Sequence, residues 1–130
     1  MATRTATIKQ RTTASGAKDV IVQWTGLLNG DDGQWISIPG MVLRSISQNG
    51  TWGTGGSVSI RGSNGDAMME KPTDVVITGT QPDETQIAGP FSSNGLTTAN
   101  LYIATASYRP LVTAGDGTTS LTLTMYFVQD

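Results

Sequence analysis

Closely spaced acidic side chains are the residues of this sequence that come nearest to catalytic chemistry. Asp83-Glu84 and the pair Asp66 and Glu70 both fall in segments that read as loops. Glycoside hydrolysis uses two carboxyl groups at a set separation across a cleft. Adjacent acids on a loop are more typical of solvated surface, so we predict that neither pair forms an active site. No catalytic residue is assigned.

The segment Asn29–Gly33 carries side-chain oxygens of the kind that bind Ca²⁺. It lacks the alternating acidic positions closed by a Glu that an EF-hand loop requires. Asn-Gly and Asp-Gly are also frequent turn sequences. We therefore expect a solvated turn at this segment, with no metal site and no cofactor site.

The composition excludes several classes of enzyme. The 130 residues contain neither His nor Cys. Ser-His and Cys-His catalysis are therefore excluded, together with disulfides and thiolate metal sites. Ser-Lys and paired-carboxylate schemes stay open on composition alone. The prediction is a protein that is not an enzyme, and the lack of Cys is compatible with assembly in a reducing cytoplasm.

Three tryptophans are the candidate aromatic contact residues, as a platform for sugars or bases. Trp24 alternates with Val20 and Val22, which predicts packing in a core. Trp52 stands among Thr and Gly residues and is expected to be more exposed, so it is the best single aromatic for binding a partner. No basic run interleaves with the tryptophans, and no nucleic-acid partner is predicted.

The charged residues are unevenly placed along the chain. Residues 1–18 contain four basic residues and no acidic one, whereas residues 19–130 contain four basic and ten acidic residues, for a net charge of −2. Residues 1–18 also lack a sustained apolar period. We predict an extended basic N-terminal arm over residues 1–18 and a single domain over residues 19–130, with a frayed terminus as the alternative. The predicted partner-binding residues are Arg4, Lys9, Arg11, Lys18 and Trp52.

No membrane partner is predicted. The first residues show no apolar signal-peptide region, and no apolar run approaches the length of a membrane span.

Short segments of alternating polarity predict an all-β fold. Leu121, Leu123, Met125 and Phe127 share one face of the clearest strand. This strand follows an Asp-Gly turn, which predicts a C-terminal β-hairpin as the core pair. Pro110, just before the turn, indicates an edge strand or a kink. Seven to nine short antiparallel strands indicate a β-sandwich or jelly roll. The other predicted strands are Asp19–Thr25, Gln34–Ile38, Met41–Gln48, Thr51–Gly62, Asp74–Gly79, Ile87–Pro90, Leu101–Ser107 and Leu111–Thr113, with loops between them that include Phe91–Thr98.

Two segments of the chain resemble small structural proteins of tailed bacteriophages. The first is the strand and loop Ser57–Gly65, which ends in Gly-Ser-Asn-Gly. The second is Tyr108–Thr124, in which Tyr-Arg-Pro leads into Val-Thr-Ala-Gly-Asp-Gly-Thr and then Leu-Thr-Leu-Thr. The segment Thr73–Thr98 has no counterpart in that group.

The resemblance implies a virion component that is assembled in the host cytoplasm. More narrowly, it implies a capsid decoration, or cement, protein: a homotrimer that binds and stabilises the major capsid protein shell. The basic arm would then dock on the shell. The alternatives are a carbohydrate-binding or receptor-binding β module that uses Trp52, and another virion part from the tail, the neck or the fibre base.

Overall fold

The computed structural model describes residues 1–64, 83–98 and 105–129. Within these residues the chain forms ten β-strands and no helix, which confirms the all-β class and exceeds the expected seven to nine strands. The predicted strand Asp74–Gly79 lies outside the described residues. The strands are β1 (Thr3–Arg4), β2 (Ala6–Thr12), β3 (Lys18–Leu27), β4 (Asp32–Gly33), β5 (Met41–Thr51), β6 (Ser57–Ser63), β7 (Thr85–Phe91), β8 (Gly95–Thr98), β9 (Ser107–Ala114) and β10 (Ser120–Gln129).

The ten strands form two five-stranded sheets. The first sheet has the order β1-β4-β9-β6-β7, and the second sheet has the order β2-β3-β10-β5-β8. β1 pairs with β4 in parallel, whereas the other pairings of the described strands are antiparallel. The edge strands are therefore β1 and β7 in the first sheet and β2 and β8 in the second.

Both sheets contribute side chains to one common core. Leu121, Leu123, Met125 and Phe127 of β10 are buried, as the period of two predicts. The ring of Tyr108, on β9 of the first sheet, lies with its centroid 5.7 Å from that of Phe127 in the second sheet. Each buried side chain of this size stabilises the fold by about 1.5–3 kcal/mol, so the alternating pattern of β10 supplies a large share of the core.

The predicted C-terminal hairpin is wrong. β9 pairs with β4 and β6 in the first sheet, whereas β10 pairs with β3 and β5 in the second. The connection between them therefore crosses from one sheet to the other. The Asp116 carboxylate holds this connection by accepting hydrogen bonds from the backbone N–H groups of Thr118, at 2.8 Å, and Thr54, at 2.7 Å. β9 and β10 each have one apolar face. Because they lie in different sheets, these two faces pack against each other across the core, which neighbouring strands of one sheet could not do.

Three further segments differ from the expected strand boundaries. β5 continues through the Asn49-Gly50 turn signal to Thr51, because Ser120 and Leu121 of β10 pair with this stretch. The predicted strand Gln34–Ile38 is reduced to a single bridge between Ile36 and Tyr108. The predicted loop Phe91–Thr98 contains β8, which pairs with the middle of β5.

Pro110 lies in the central strand of the first sheet and not at an edge. On the side of β9 that faces β4, the N–H of Tyr108 donates to the carbonyl of Ile36 at 2.9 Å, and the N–H of Val112 donates to that of Asp31 at 2.8 Å. Pro110 lies between these two donors. Because β4 is only two residues long, the missing N–H of Pro110 falls where the ladder is already interrupted.

The packing of the Pro110 ring explains why residue 33 is a glycine. A Cβ atom on Gly33 would lie 2.4 Å from Pro110 Cδ and 2.7 Å from Trp24 Cδ1. Trp24 is fully buried, which confirms its predicted core role. Both rings are fixed by their strands, so neither can move aside to admit a methyl group.

Gly33→Ala is expected to lower the free energy of unfolding by about 1–3 kcal/mol, the usual range for overpacking a core. The measurement is urea denaturation followed by tryptophan fluorescence. Gly117→Ala is the matched control, because its Cβ would meet no atom within 4 Å. It should change stability by about 1 kcal/mol or less. Equal stability of the two variants would contradict this account of Gly33.

Candidate functional site

The N-terminal segment of residues 1–18 is extended and pairs with strands of its own chain. β1 lies against β4, with Thr3 opposite Asp32, and β2 lies against β3 along its whole length. Ala6 and Ile8 pack against the core. The segment therefore supplies one edge strand to each sheet. Its role in docking on a partner stays a prediction.

The turn that was expected to be solvated is buried. Asp31 and Asp32 are only 3% and 5% exposed. Oδ1 of Asp31 accepts a hydrogen bond from the N–H of Ala2 at 2.9 Å, and Oδ2 accepts one from Leu28 N–H at 2.9 Å. Arg4 Nε lies 2.8 Å from the same Oδ2. The solvated-turn prediction is wrong because groups of the first four residues bind these carboxylates.

The charged form of Asp31 is the stable one in the fold. Burial by itself raises the pKa of this carboxyl. The hydrogen bonds from the N–H groups of Leu28 and Ala2 and the Arg4 guanidinium outweigh burial and hold the pKa below its ordinary value. Asp31 is thus an ionic anchor for the first four residues of the chain.

A second group of charges ties together the strands of the first sheet. Arg109 donates from Nη1 to the carboxylate of Asp32, and its Nη2 lies 2.7 Å from both oxygens of Glu84. Arg61 Nε donates to Glu84 at 3.0 Å. The Arg109 guanidinium also lies 4.9 Å from the centroid of the Trp35 ring. Two guanidinium groups and two carboxylates therefore neutralise one another, which is the arrangement of a structural cross-link.

Of the two acidic pairs considered for catalysis, the structure describes Asp83 and Glu84. Asp83 is exposed, as expected, whereas the Glu84 side chain is only 20% exposed because this cross-link holds it. The pair Asp66 and Glu70 lies outside the described residues. No sequence pattern near Glu84 or Asp32 indicates their partner, since Arg109 lies 25 and 77 positions away from them.

Three of the four N-terminal cations lie near one another along β2 and the start of β3. Arg11 forms a two-pronged ion pair with Asp19, at 2.6 and 3.0 Å, and the hydroxyl of Tyr126 donates to the same carboxylate at 2.9 Å. Hydrogen bonding from Arg11 and then from Tyr126 holds the pKa of Asp19 below its ordinary value. Lys9 and Lys18 form no ion pair with a described residue.

Trp52 and Arg4 lie apart from this group. Arg4 forms an ion pair with Asp31. Trp52 directly follows the end of β5 that pairs with the beginning of β10, whereas Lys18 and Asp19 lie beside the end of β10. The Trp52 ring is half-buried against the core, and its Nε1 donates to Asn94 Oδ1 at 2.9 Å. The structure therefore brings together Lys9, Arg11 and Lys18 and leaves the other two predicted residues elsewhere.

Comparison with protein-family models, with curated proteins and with solved structures gives no match to this chain. In the part of the chain that the structure describes, no three acidic side chains converge in a way that could hold a metal ion. The same residues include no helix of the length and hydropathy needed to cross a membrane.

Arg109→Ala is expected to lower the free energy of unfolding by about 2–4 kcal/mol, because the buried Asp32 carboxylate loses its cation and Glu84 keeps only Arg61. Arg11→Ala is the control, because the Arg11 side chain is 66% exposed, so that the loss of its pair with Asp19 should cost clearly less stability. Urea denaturation at neutral pH measures both. Similar small losses for the two variants would show that the Arg109 cross-link does not stabilise the first sheet.

The attachment of the first residues is expected to weaken in acid. The pKa of Asp31 is lowered from its ordinary 3.8 in the fold, so the unfolded chain takes up the proton first as the pH falls. The stabilisation is present above pH 3.8 and is lost as the pH falls through the folded-state pKa. Hydrogen exchange at Ala2 should therefore accelerate below about pH 4, relative to its intrinsic rate, while the amides of Lys9 and Arg11, which bond to β3, stay protected. Asp31→Asn should remove this pH dependence, and an unchanged profile in that variant would contradict the assignment.

Proposed function

We propose that this chain is a structural component of a tailed-bacteriophage particle. More narrowly, it is a capsid decoration protein, a homotrimer that binds the major capsid protein and stabilises the shell. In this proposal the two sheets pack as a β-sandwich of the jelly-roll type. The observation that carries the proposal is the cationic edge strand that residues 1–18 form on the second sheet.

The backbone of β2 is suited to adding a strand from a neighbouring chain. The N–H of Thr13 donates to the carbonyl of Ala17 at 2.8 Å, which sets the phase of the ladder between β2 and β3. Backbone N–H and C=O groups point alternately to the two sides of a strand. Those of Lys9 and Arg11 therefore point towards β3, whereas those of Gln10 point to the free edge. An unpaired row of N–H and C=O groups at a sheet edge is the feature that pairs with another strand.

The segment with the phage resemblance supports the choice of a virion role. Tyr108–Thr124 spans most of β9, the connection between the sheets and the first half of β10. These strands are the centres of the two sheets. The resemblance therefore concerns the framework of the fold. The proposal that the β2 side docks on the shell has a separate basis, which is the cations and the free edge of β2.

The geometry of Trp52 gives less support to a carbohydrate-binding or receptor-binding module. Its ring is partly occupied by core contacts, and its N–H is already bound to Asn94. Another virion part is separated from a decoration protein by the number of copies in solution. A trimer favours decoration, whereas larger rings favour a tail or neck component.

The experiment is to add the purified protein to phage shells assembled without it. We expect saturable binding, a trimer by mass measurement in solution, and shells that melt at higher temperature with the protein than without it. Absence of binding at micromolar concentration would reject the proposal.

The role of the β2 edge is tested by Gln10→Pro, with Gln10→Ala as its matched control. The proline removes an N–H that the ladder with β3 does not use, so the fold tolerates it. Affinity for shells should fall by about tenfold or more in Gln10→Pro, equivalent to about 1.4 kcal/mol, and should be unchanged in Gln10→Ala. Equal affinities of the two variants would exclude strand addition at this edge.

A further inference from the structure

The cations without an acidic partner are concentrated on the second sheet. Within the described ranges, the cations Arg4, Arg61 and Arg109 pair with carboxylates that belong to the first sheet or adjoin it. Arg11 pairs with Asp19 within the second sheet. Three further described cations form no ion pair with a described residue, and each lies on a strand of the second sheet; they are Lys9 on β2, Lys18 on β3 and Arg44 on β5.

The register places Lys9 on the face of the second sheet that points away from the core. Lys9 lies opposite Ile21, Ile21 lies opposite Tyr126, and Tyr126 lies opposite Ser45. Residues that are directly opposite in antiparallel strands project from the same side of the sheet. Met125, the neighbour of Tyr126, is fully buried, so this row is on the outer side.

Arg44 joins the same outer face through a β-bulge. Phe127 pairs with Leu43 and Tyr126 pairs with Ser45, so Arg44 is the additional residue between the two pairs. Leu43 is buried in the core, whereas Arg44 is exposed. The bulge thus adds a cation on the β5 side of the row, opposite Lys9 on the β2 side.

The part of this outer face that lies between the cations is mainly apolar, and Gln23 and Thr124 lie beside it. Ile21, Val42, Tyr126 and Val128 are half-buried there, although their neighbours along each strand point into the core. Tyr126 and Val128 also border a hollow of about 160 Å³, together with Lys18 and Asp19. Leu96, on the edge strand β8, lies opposite Ser47 and is 67% exposed.

The charge of this surface is opposite in sign to that of the whole chain. Its ionisable side chains are Lys9, Arg11, Arg44 and the carboxylate of Asp19, which gives the surface a net charge of +2. The chain as a whole carries −2. We call this outer side of the second sheet, with its cations and apolar centre, the basic face.

We infer that the basic face is the docking surface and that its occupant is an acidic patch on the shell protein. This inference rests on the proposed function and adds Arg44, Ile21 and Tyr126 to the contact residues. An apolar centre with a charged rim is the anatomy of a protein–protein interface, and complementary charge selects an acidic partner. A nucleic acid would be held by phosphate contacts alone and would leave the apolar centre without a counterpart.

The test compares two double variants that change the net charge equally. Lys9→Gln with Arg44→Gln removes two charges from the basic face. Thr85→Glu with Thr113→Glu adds two negative charges at exposed positions of the first sheet. At low salt the first pair should bind shells about tenfold more weakly than the unmodified protein, and the second pair should stay within about twofold. The tenfold difference should shrink in 1 M salt, where the screening length is about 3 Å.

The apolar centre is tested separately by Ile21→Thr. It keeps a β-branched residue on β3 and should weaken binding about tenfold at both salt concentrations, because apolar burial is not screened. Circular dichroism and urea denaturation verify the folding of every variant.

Each outcome of these measurements decides a different point. If the unmodified protein fails to bind shells, the proposed function and this inference both fail. If it binds and the two charge pairs behave alike, or Ile21→Thr binds normally, the inference alone is overturned. Binding of duplex DNA that depends on Lys9 and Arg44, with shell binding unchanged in the same variant, would overturn the assignment of the occupant.

Discussion

The burial of one face of β10 is the constraint on which the rest of the structure depends. Leu121, Leu123, Met125 and Phe127 are almost completely buried, and β10 is the central strand of the second sheet. Because the side chains of a strand alternate, burying this face commits the intervening residues to the opposite side. Tyr126 is therefore placed at the middle of the basic face by the same strand that fills the core.

The N-terminal segment connects the two sheets through a polar contact. A single residue, Thr5, separates β1 in the first sheet from β2 in the second. Asp31 and Asp32 hold the first of these strands, and Asp32 also binds Arg109 on β9. Buried carboxylates are costly unless they are paired, and here every described partner is a cation, a hydroxyl or a backbone N–H. The contact therefore makes the position of β2 dependent on the centre of the first sheet.

The sequence predicts the faces of strands better than it predicts their neighbours. Alternation identified the buried sides of β3 and β10 because burial acts on each side chain separately. Pairing depends on the whole chain, so the Asp-Gly segment before β10 was interpreted as a hairpin turn when it is a crossover between sheets. Asn49-Gly50 was likewise interpreted as a turn, whereas these residues continue β5 because they pair with β10.

For the residues proposed to dock, the sequence was likewise informative about some and not about others. The charge separation along the sequence pointed to Arg4, Lys9, Arg11 and Lys18, because they are close in the chain, but Arg4 is paired with Asp31. Arg44 was missed because a β-bulge cannot be recognised from the alternation of the sequence. The bulge is seen only from the pairing of β5 with β10. The anchor at Asp31 and Asp32 was missed because its cations, Arg4 and Arg109, lie 27 and 77 positions away in the sequence.

The central position of β10 also determines when the molecule can fold during its synthesis. Gln23 on β3 bonds to Thr124 on β10 at 3.0 Å, and these two residues are 101 positions apart. Until the ribosome has produced residues 120–129, β3 and β5 lack the strand that lies between them, and their apolar sides have no complete core to enter. The nascent chain therefore stays open to chaperones and to aggregation until these residues have been made, and β3 and β5 join one sheet only after β10 has left the ribosome.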